Sequence, residues 1–366
     1  MTPLSSDELR AARTQAQHLD TRLPSSQLTE AVRDVVGIQG QLAPAMKLAL
    51  RARVSGLELS DVEQAIAERH LLVRTWAMRG TLHLLAAQDV GWMVGLLGAG
   101  FSAKDSRRRL QLGVDEKLSA VGLKAIRAIL KDSDPLTRHE LREKLIEREV
   151  KVDPKGQALI HLIGQAALEG VVCLGPDRAN GESTYALLDE WIKAGKTLPK
   201  AEALAELAER YLTGYAPADV KDYSAWSGLS LTEAKQGWTA LEKVGKLVEI
   251  EVEKRSLWML EKTKIKTSNQ PVVRLLPAFD AYLLGYRQRE DLVSAKHQSE
   301  VYHGGQTVPV VLVDGLAAGV WRYERAGKRL KITVKAFEVF DKQIERLIAE
   351  EADDIGRFWK TPVTLA

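Results

Sequence analysis

A chain of 366 residues is too long for one ordinary core and fits two to four compact units; 45% hydrophobic and 28% charged residues mark it as globular rather than disordered. The single cysteine excludes a disulfide framework or a thiolate metal cluster within the chain, and no stretch approaches the roughly 18 apolar residues of a membrane span. A net charge of +3 does not by itself establish nucleic-acid binding, and an N-terminus without a basic, apolar leader reads as cytoplasmic.

In chain order, the first helix start is Ser5, followed three residues later by Glu8; Ser60, Thr137 and Ser230 stand in the same relation to a glutamate. In such a capping box the hydroxyl and the carboxylate satisfy each other's free backbone donors. Between Val35 and Arg53 the run VVGIQGQLAPAMKLALRAR interrupts a helical pattern with Gly37, Gly40 and Pro44, then resumes it with arginines at 51 and 53.

Three similar stretches follow. SDVEQAIAERHL leads to LLVRTWAM, the turn RGT and LHLL; LTRHELREKLIE and KGQALIHLIGQAALEG lead to VVCLG, a polar loop and TYALL; ADVKDYSAWSG and SLTEAKQGWTALEKVG lead to KLVEIEVEK and SLWML. Helix, helix, hairpin is the order of a winged helix-turn-helix, whose second helix enters a major groove. A helical bundle with hairpin insertions is the alternative.

Beyond Lys266 the texture becomes strand-like. RLLPAFDAYLLGY and VPVVLVDGLAAGVWRYERAGKRLKITVKAF read as strands, with turns at Asp314-Gly315 and Ala326-Gly327, closed by a final helix. The fold class expected is α+β: three tandem winged helix-turn-helix units plus a small C-terminal antiparallel β-barrel. The boundaries expected are 1–100 for the first unit with the glutamine pair, 101–200, 201–264, and 265–366 for the barrel and last helix.

Familiar catalytic signatures are missing: the chain has no G-x-S-x-G, no H-E-x-x-H and no Walker loop, and its seven histidines are scattered. His297 and His303 have no third ligand nearby in sequence, so no metal or other cofactor is expected. Gln39 and Gln41 are different. On a continuous helix, residues two apart diverge by about 200°. In an extended segment they face one side, and Gly37, Gly40 and Pro44 allow the chain to leave helical geometry there. The plainer reading is a solvated helix end.

GIQGQ, LALRAR, VRTWAMRGTLHLL, RYLTGYAPADVKDYSAWSGL, LLPAFDAYLLGYR and GVWR, in this order from about Ser6 to Phe337, together resemble the AlkZ-like DNA glycosylases, a bacterial family of winged-helix proteins that includes YcaQ-type enzymes. The resemblance implies winged units and a barrel around a basic channel, with a Gln-hydrophobic-Gln motif for base excision that Gln39 and Gln41 match. Gly40 and Leu42 depart from it, standing where a bulkier apolar residue and often an acidic one occur. That departure bears on rate and substrate rather than on fold.

The activity implied is hydrolysis of N-glycosidic bonds to alkylated, cationic bases of the N7-alkylguanine type, possible interstrand crosslinks included, by a monofunctional glycosylase in which the glutamines position water. The partner implied is double-stranded DNA, with no membrane and no metal, and a self-contained channel makes the expected state a monomer. Candidate DNA contacts are Arg51, Arg79 and His83, and Arg322, Arg325, Lys328, Arg329 and Lys331 around the 326-327 turn. For His83 a packed histidine, and for the turn cations a solvated edge, are the competing readings. Asp280, after an apolar run, is expected to be structural and held by an arginine. Rival functions are a non-catalytic winged-helix regulator and a protein-interaction scaffold.

Overall fold

The structure is a computed structural model and describes residues 3–153, 156–193, 195–266, 270–327 and 329–366. Its principal elements are α1 (Ser6–Ala16), α2 (Leu28–Asp34), β1 (Ile38–Gln39), α3 (Ala43–Arg53), α4 (Leu59–Ala67), β2 (Leu72–Trp76), β3 (Leu82–Ala86), α5 (Ala87–Gln111), α6 (Glu116–Leu130), α7 (Arg138–Glu147), α8 (Ala158–Leu168), β4 (Val172–Leu174) and β5 (Thr184–Leu187). There follow α9 (Lys200–Tyr215), α10 (Val220–Ser227), α11 (Leu231–Lys243), β6 (Leu247–Val252), β7 (Arg255–Leu260), β8 (Val273–Leu276), β9 (Val310–Val313), β10 (Leu316–Ala326), β11 (Arg329–Ala336), α12 (Lys342–Phe358) and β12 (Val363–Leu365). They gather into two compact units, Glu63–Ala203 and the remainder, Met1–Val62 with Leu204–Ala366.

In the unit Glu63–Ala203, the strands pair antiparallel in the order β3-β2-β4-β5, with Leu136–Thr137 on the outer edge. Ile126, Leu141, Leu162 and Ile163, from α6, α7 and α8, are buried in one apolar cluster. Here α7, α8 and a hairpin follow one another as the sequence pattern predicts, with α6 ahead of them, but α8 is not a free groove reader. None of its residues is exposed, and a methyl on Gly98 of α5 would meet the Leu168 carbonyl at 1.8 Å. So close an approach holds α8 against α5.

In the other unit, α10 and α11 precede the β6-β7 hairpin, and Pro3–Leu4 adds a parallel strand to β6. Tyr211, Tyr215, Tyr223, Trp226 and Trp238 form a chain of ring contacts under these helices, with centroids 5.0–6.4 Å apart. The C-terminal strands run β8-β9-β10-β11-β12. This corrects the expected barrel: β8 and β12 are the two edges and do not pair, so the sheet is open, and β12 joins β11 in parallel.

Asp314 and Gly315 form the β9-β10 turn with φ of 48° and 79°, the left-handed pair that a two-residue hairpin requires. The other stretch expected as strand, RLLPAFDAYLLGY, is extended only over β8; Ala281–Leu284 is a helical turn capped by Asp280. Capping boxes form at Ser5, Thr137 and Ser230, whereas Ser60 lies inside α4. A further box joins Asp219 and Asp222, an Asp-x-x-Asp variant outside the Ser/Thr pattern.

Candidate functional site

The turn before the glutamines is built from the end of α2. Val36 N–H donates to Arg33 O at 3.0 Å and Gly37 N–H to Val32 O at 2.8 Å, the bond pattern of a Schellman cap. Its left-handed position, which glycine usually fills, is Val36 at φ 56°, where a side chain costs about 1–2 kcal/mol. Gly37 follows at φ 102° and turns the chain into β1.

There Gln39 is 7% exposed and Gln41 is exposed, and Gln39 Nε2 donates to Gln41 Oε1 at 3.1 Å. The non-helical backbone thus brings the two amides together, as the broken helical pattern predicts. Helix geometry resumes at Ala43, with Pro44 in the first turn, where its missing N–H removes no intrahelical bond, and Leu42 is 49% exposed at the N-cap.

Two arginines of α3 tie it to the C-terminal elements. Arg53 forms a two-pronged pair with Asp280, Nη1 to Oδ2 at 2.9 Å and Nη2 to Oδ1 at 2.8 Å, with both side chains at 0% exposure. Gln17 Oε1 accepts a further bond from Arg53 at 2.8 Å, a partner that no local signal in the sequence announces. Arg51 corrects an expectation. It is 0% exposed and bonded to Glu351, Asp354 and the Leu275 carbonyl at 3.0–3.1 Å, so it is a structural residue with no surface left for phosphate. Arg74 of β2 is likewise buried against Asp177.

The β10-β11 hairpin carries the exposed cations. Register pairs Arg322 with Thr333, Glu324 with Lys331 and Ala326 with Arg329, which puts Arg322, Arg329 and Lys331 on one face and Arg325 on the other. All four are exposed, and among the described residues none of them makes an ion pair. Lys328 lies outside the described residues.

Arg79 and His83 belong to the β2-β3 hairpin of the other unit. Arg79 is half-buried at φ 56° in the turn, and His83 is 3% exposed. Desolvation, reinforced by the Arg79 charge, pushes the imidazole down to about 3, against a smaller opposing effect of the Thr81 carbonyl. His83 is therefore neutral at physiological pH. With Nδ1 2.9 Å from that carbonyl, its proton sits on Nδ1 and donates there. A cationic phosphate contact by His83 is thereby replaced by a neutral, buried imidazole. Among the described residues no three or more His, Cys, Asp or Glu side chains gather as a metal site would need.

Comparison with known proteins places the chain in a family. Residues 32–358 match the family model described as DNA glycosylase AlkZ-like. The chain belongs to the AlkZ-like DNA glycosylase family. A curated relative from Streptomyces sahachiroi, named interstrand DNA cross-link repair glycosylase, is 32% identical over 327 residues, covering 85% of this chain and 86% of that protein. The solved structure of Streptomyces sahachiroi DNA glycosylase AlkZ matches with a TM-score of 0.79 at 26% identity, over 100% of both chains. As an AlkZ-like DNA glycosylase, the chain has DNA as its partner, and no helix among its described residues is long and apolar enough to cross a membrane.

Proposed function

We propose that this AlkZ-like glycosylase hydrolyses the N-glycosidic bond of cationic, alkylated purines of the N7-alkylguanine type, with Gln39 and Gln41 holding the attacking water. The observation that carries the reading is the 3.1 Å bond between the two amides, in a segment that leaves helical geometry to bring them together. With Oε1 engaged by Gln39, the Gln41 amide keeps a second oxygen lone pair and the hydrogens of its Nε2, so it presents acceptor and donor together. A water held between such groups is positioned for C1′ without being deprotonated.

That is sufficient chemistry for one class of base. An alkylated purine already carries positive charge, so when the C1′–N bond breaks its electron pair neutralises the departing base. Water adds to C1′ and releases its proton to solvent, leaving an abasic site. Positioning and stabilisation of the developing oxocarbenium are then the contributions needed, and a neutral amide supplies them. A neutral lesion such as uracil needs protonation of the leaving group, which an amide cannot give. No lysine stands beside Gln39 in sequence to form a Schiff base, which fits a monofunctional enzyme.

The exposed cations Arg322, Arg325, Arg329 and Lys331 suit phosphate contact. Arg79 lies in a turn suited to the same role, and His83 is read as its neutral packing partner. The helix-helix-hairpin successions are read as winged-helix units in the four-part division given above, acting as a monomer in the cytoplasm. The relative's name extends the reading to interstrand crosslinks.

The test incubates the protein with a duplex containing one N7-methylguanine and reveals abasic sites with alkali. Excision by the wild type, reduced at least about 100-fold in Gln39→Ala and Gln41→Ala with duplex binding retained, is the expected result. Excision at the wild-type rate by both variants would remove the glutamines from the mechanism.

A further inference from the structure

The glutamine turn is strained where it can least rest on its own sequence. A glycine at position 36 would take the left-handed conformation freely; a valine takes it only if neighbours impose it. What packs against it is the C-terminal end of α9. Gly214 lies so close to the turn that a methyl group on it would stand 2.2 Å from the Asp34 carbonyl oxygen and 3.1 Å from the Val35 Cα. The next residue, Tyr215, donates its hydroxyl to the Val35 carbonyl at 2.9 Å, a buried bond to the residue just before Val36.

The tyrosine is itself fixed. Its ring is 1% exposed, stacked on Tyr211 at 5.0 Å and 10° and packed on Trp226 at 5.2 Å, so the hydroxyl cannot follow a turn that moves. On the other side of the turn, His18 Nε2 lies 2.7 Å from Asp34 Oδ2. The carbonyl at 35 is thus pinned at the C-cap of α2, one residue after its last helical residue and four residues before Gln39.

We infer that Tyr215, seated against the turn by Gly214, is a positioning residue for the glutamine pair: it holds Val36 left-handed and thereby fixes where Gln39 and Gln41 present their amides. This rests on the reading that those two glutamines position the water. The sequence LTGYAP contains both residues, and neither its polarity nor its periodicity connects it with a turn about 180 positions earlier.

The experiment compares Tyr215→Phe with Tyr282→Phe. Each loses one buried hydroxyl-to-carbonyl bond of 2.9 Å in the same unit, but Tyr282 donates to Gly315, away from the glutamine turn. Hydrogen exchange over residues 33–41, measured without DNA, is expected to rise at least tenfold in Tyr215→Phe only. Single-turnover excision on the N7-methylguanine duplex is expected to fall about 10-fold to 100-fold in Tyr215→Phe, with the duplex Kd within about twofold of wild type, because a displaced group costs rate rather than affinity. Tyr282→Phe should match it in Tm and keep the wild-type rate.

Equal rates in the two variants, or unchanged exchange over residues 33–41, would overturn the inference. Full activity of Gln39→Ala and Gln41→Ala would instead sink the reading beneath it, while the exchange comparison would still decide whether Tyr215 braces the turn.

Discussion

At the scale of single residues, burial sorts the polar groups into those that titrate usefully and those that hold the fold. His83 has its imidazole pushed down to about 3, so the folded state refuses a proton that the unfolded chain accepts near the ordinary value of 6.5. Its contribution to stability is therefore complete above about pH 6.5 and is lost as pH falls below it, by up to about 1.4 kcal/mol per pH unit. In His83→Gln the unfolding free energy, measured by denaturant titration from pH 7 to 4.5, should show a flatter decline than the wild type. Arg53 and Asp280 are an opposite case, two charges at 0% exposure that neutralise each other. Asp280→Ala strands the guanidinium and should cost about 3–5 kcal/mol in chemical unfolding, whereas replacing both partners with apolar residues of similar volume should cost less than that single change.

At the scale of elements, the β10-β11 hairpin and α8 show how the same local pattern reaches different ends. The hairpin projects Arg322, Arg329 and Lys331 along one face because strand alternation puts them there, and among the described residues none of them forms an ion pair, although Glu324 stands opposite Lys331. If they meet phosphates, each alanine substitution should weaken duplex binding irrespective of sequence and reduce the slope of log K against log salt by about one, read in a titration between 50 and 200 mM salt. A slope unchanged in Arg322→Ala, Arg329→Ala and Lys331→Ala alike would mean the cations serve solubility. By contrast α8, placed by sequence where a groove-reading helix belongs, is packed into its own unit. Substituting its half-buried His161, which lies 2.8 Å from Asp105 of α5, should lower stability and leave DNA affinity unchanged in the same titration.

Across the whole molecule, the unit containing both chain ends is held by a buried ionic cluster. Glu351 of α12 receives Arg51, Arg22 and Arg274 together with the Leu275 backbone N–H, and Asp354 receives Arg51 and Arg22. Burial opposes ionisation of Glu351, but the surrounding guanidinium charges outweigh it and hold the carboxyl below its usual range; Asp354 is held low in the same way. For carboxylates held low, the stabilisation is present above the ordinary carboxylate range and is lost as pH falls through their folded values. Glu351→Gln should thus lower the Tm at pH 7, and the difference from wild type should shrink below about pH 4, as scanning calorimetry across pH would record. Because the glutamine turn leads directly into α3, which bears Arg51 and Arg53, this cluster sets the platform on which the candidate site stands.

What the sequence determined by itself was local. A hydroxyl three residues before a glutamate set the caps of α1, α7 and α11, Asp314-Gly315 set a hairpin turn, and glycines around Gln39 and Gln41 set a non-helical segment, since each is a matter of backbone freedom and bonds across three or four residues. Ser60 shows the limit, because Asp61 competes for the same cap by accepting from Glu58 N–H, and the helix starts one residue before Ser60. The tertiary structure decided which arginines are free. Arg51 and Arg322 carry the same charge, yet one is sealed against Glu351, 300 residues away in sequence, and the other faces solvent. It also decided that the C-terminal sheet stays open, that α8 is covered, and that a tyrosine 180 residues along the chain reaches Val35. Charge and periodicity report a residue's own propensities; burial and partnership depend on which distant segments pack against it, and only the folded chain supplies them.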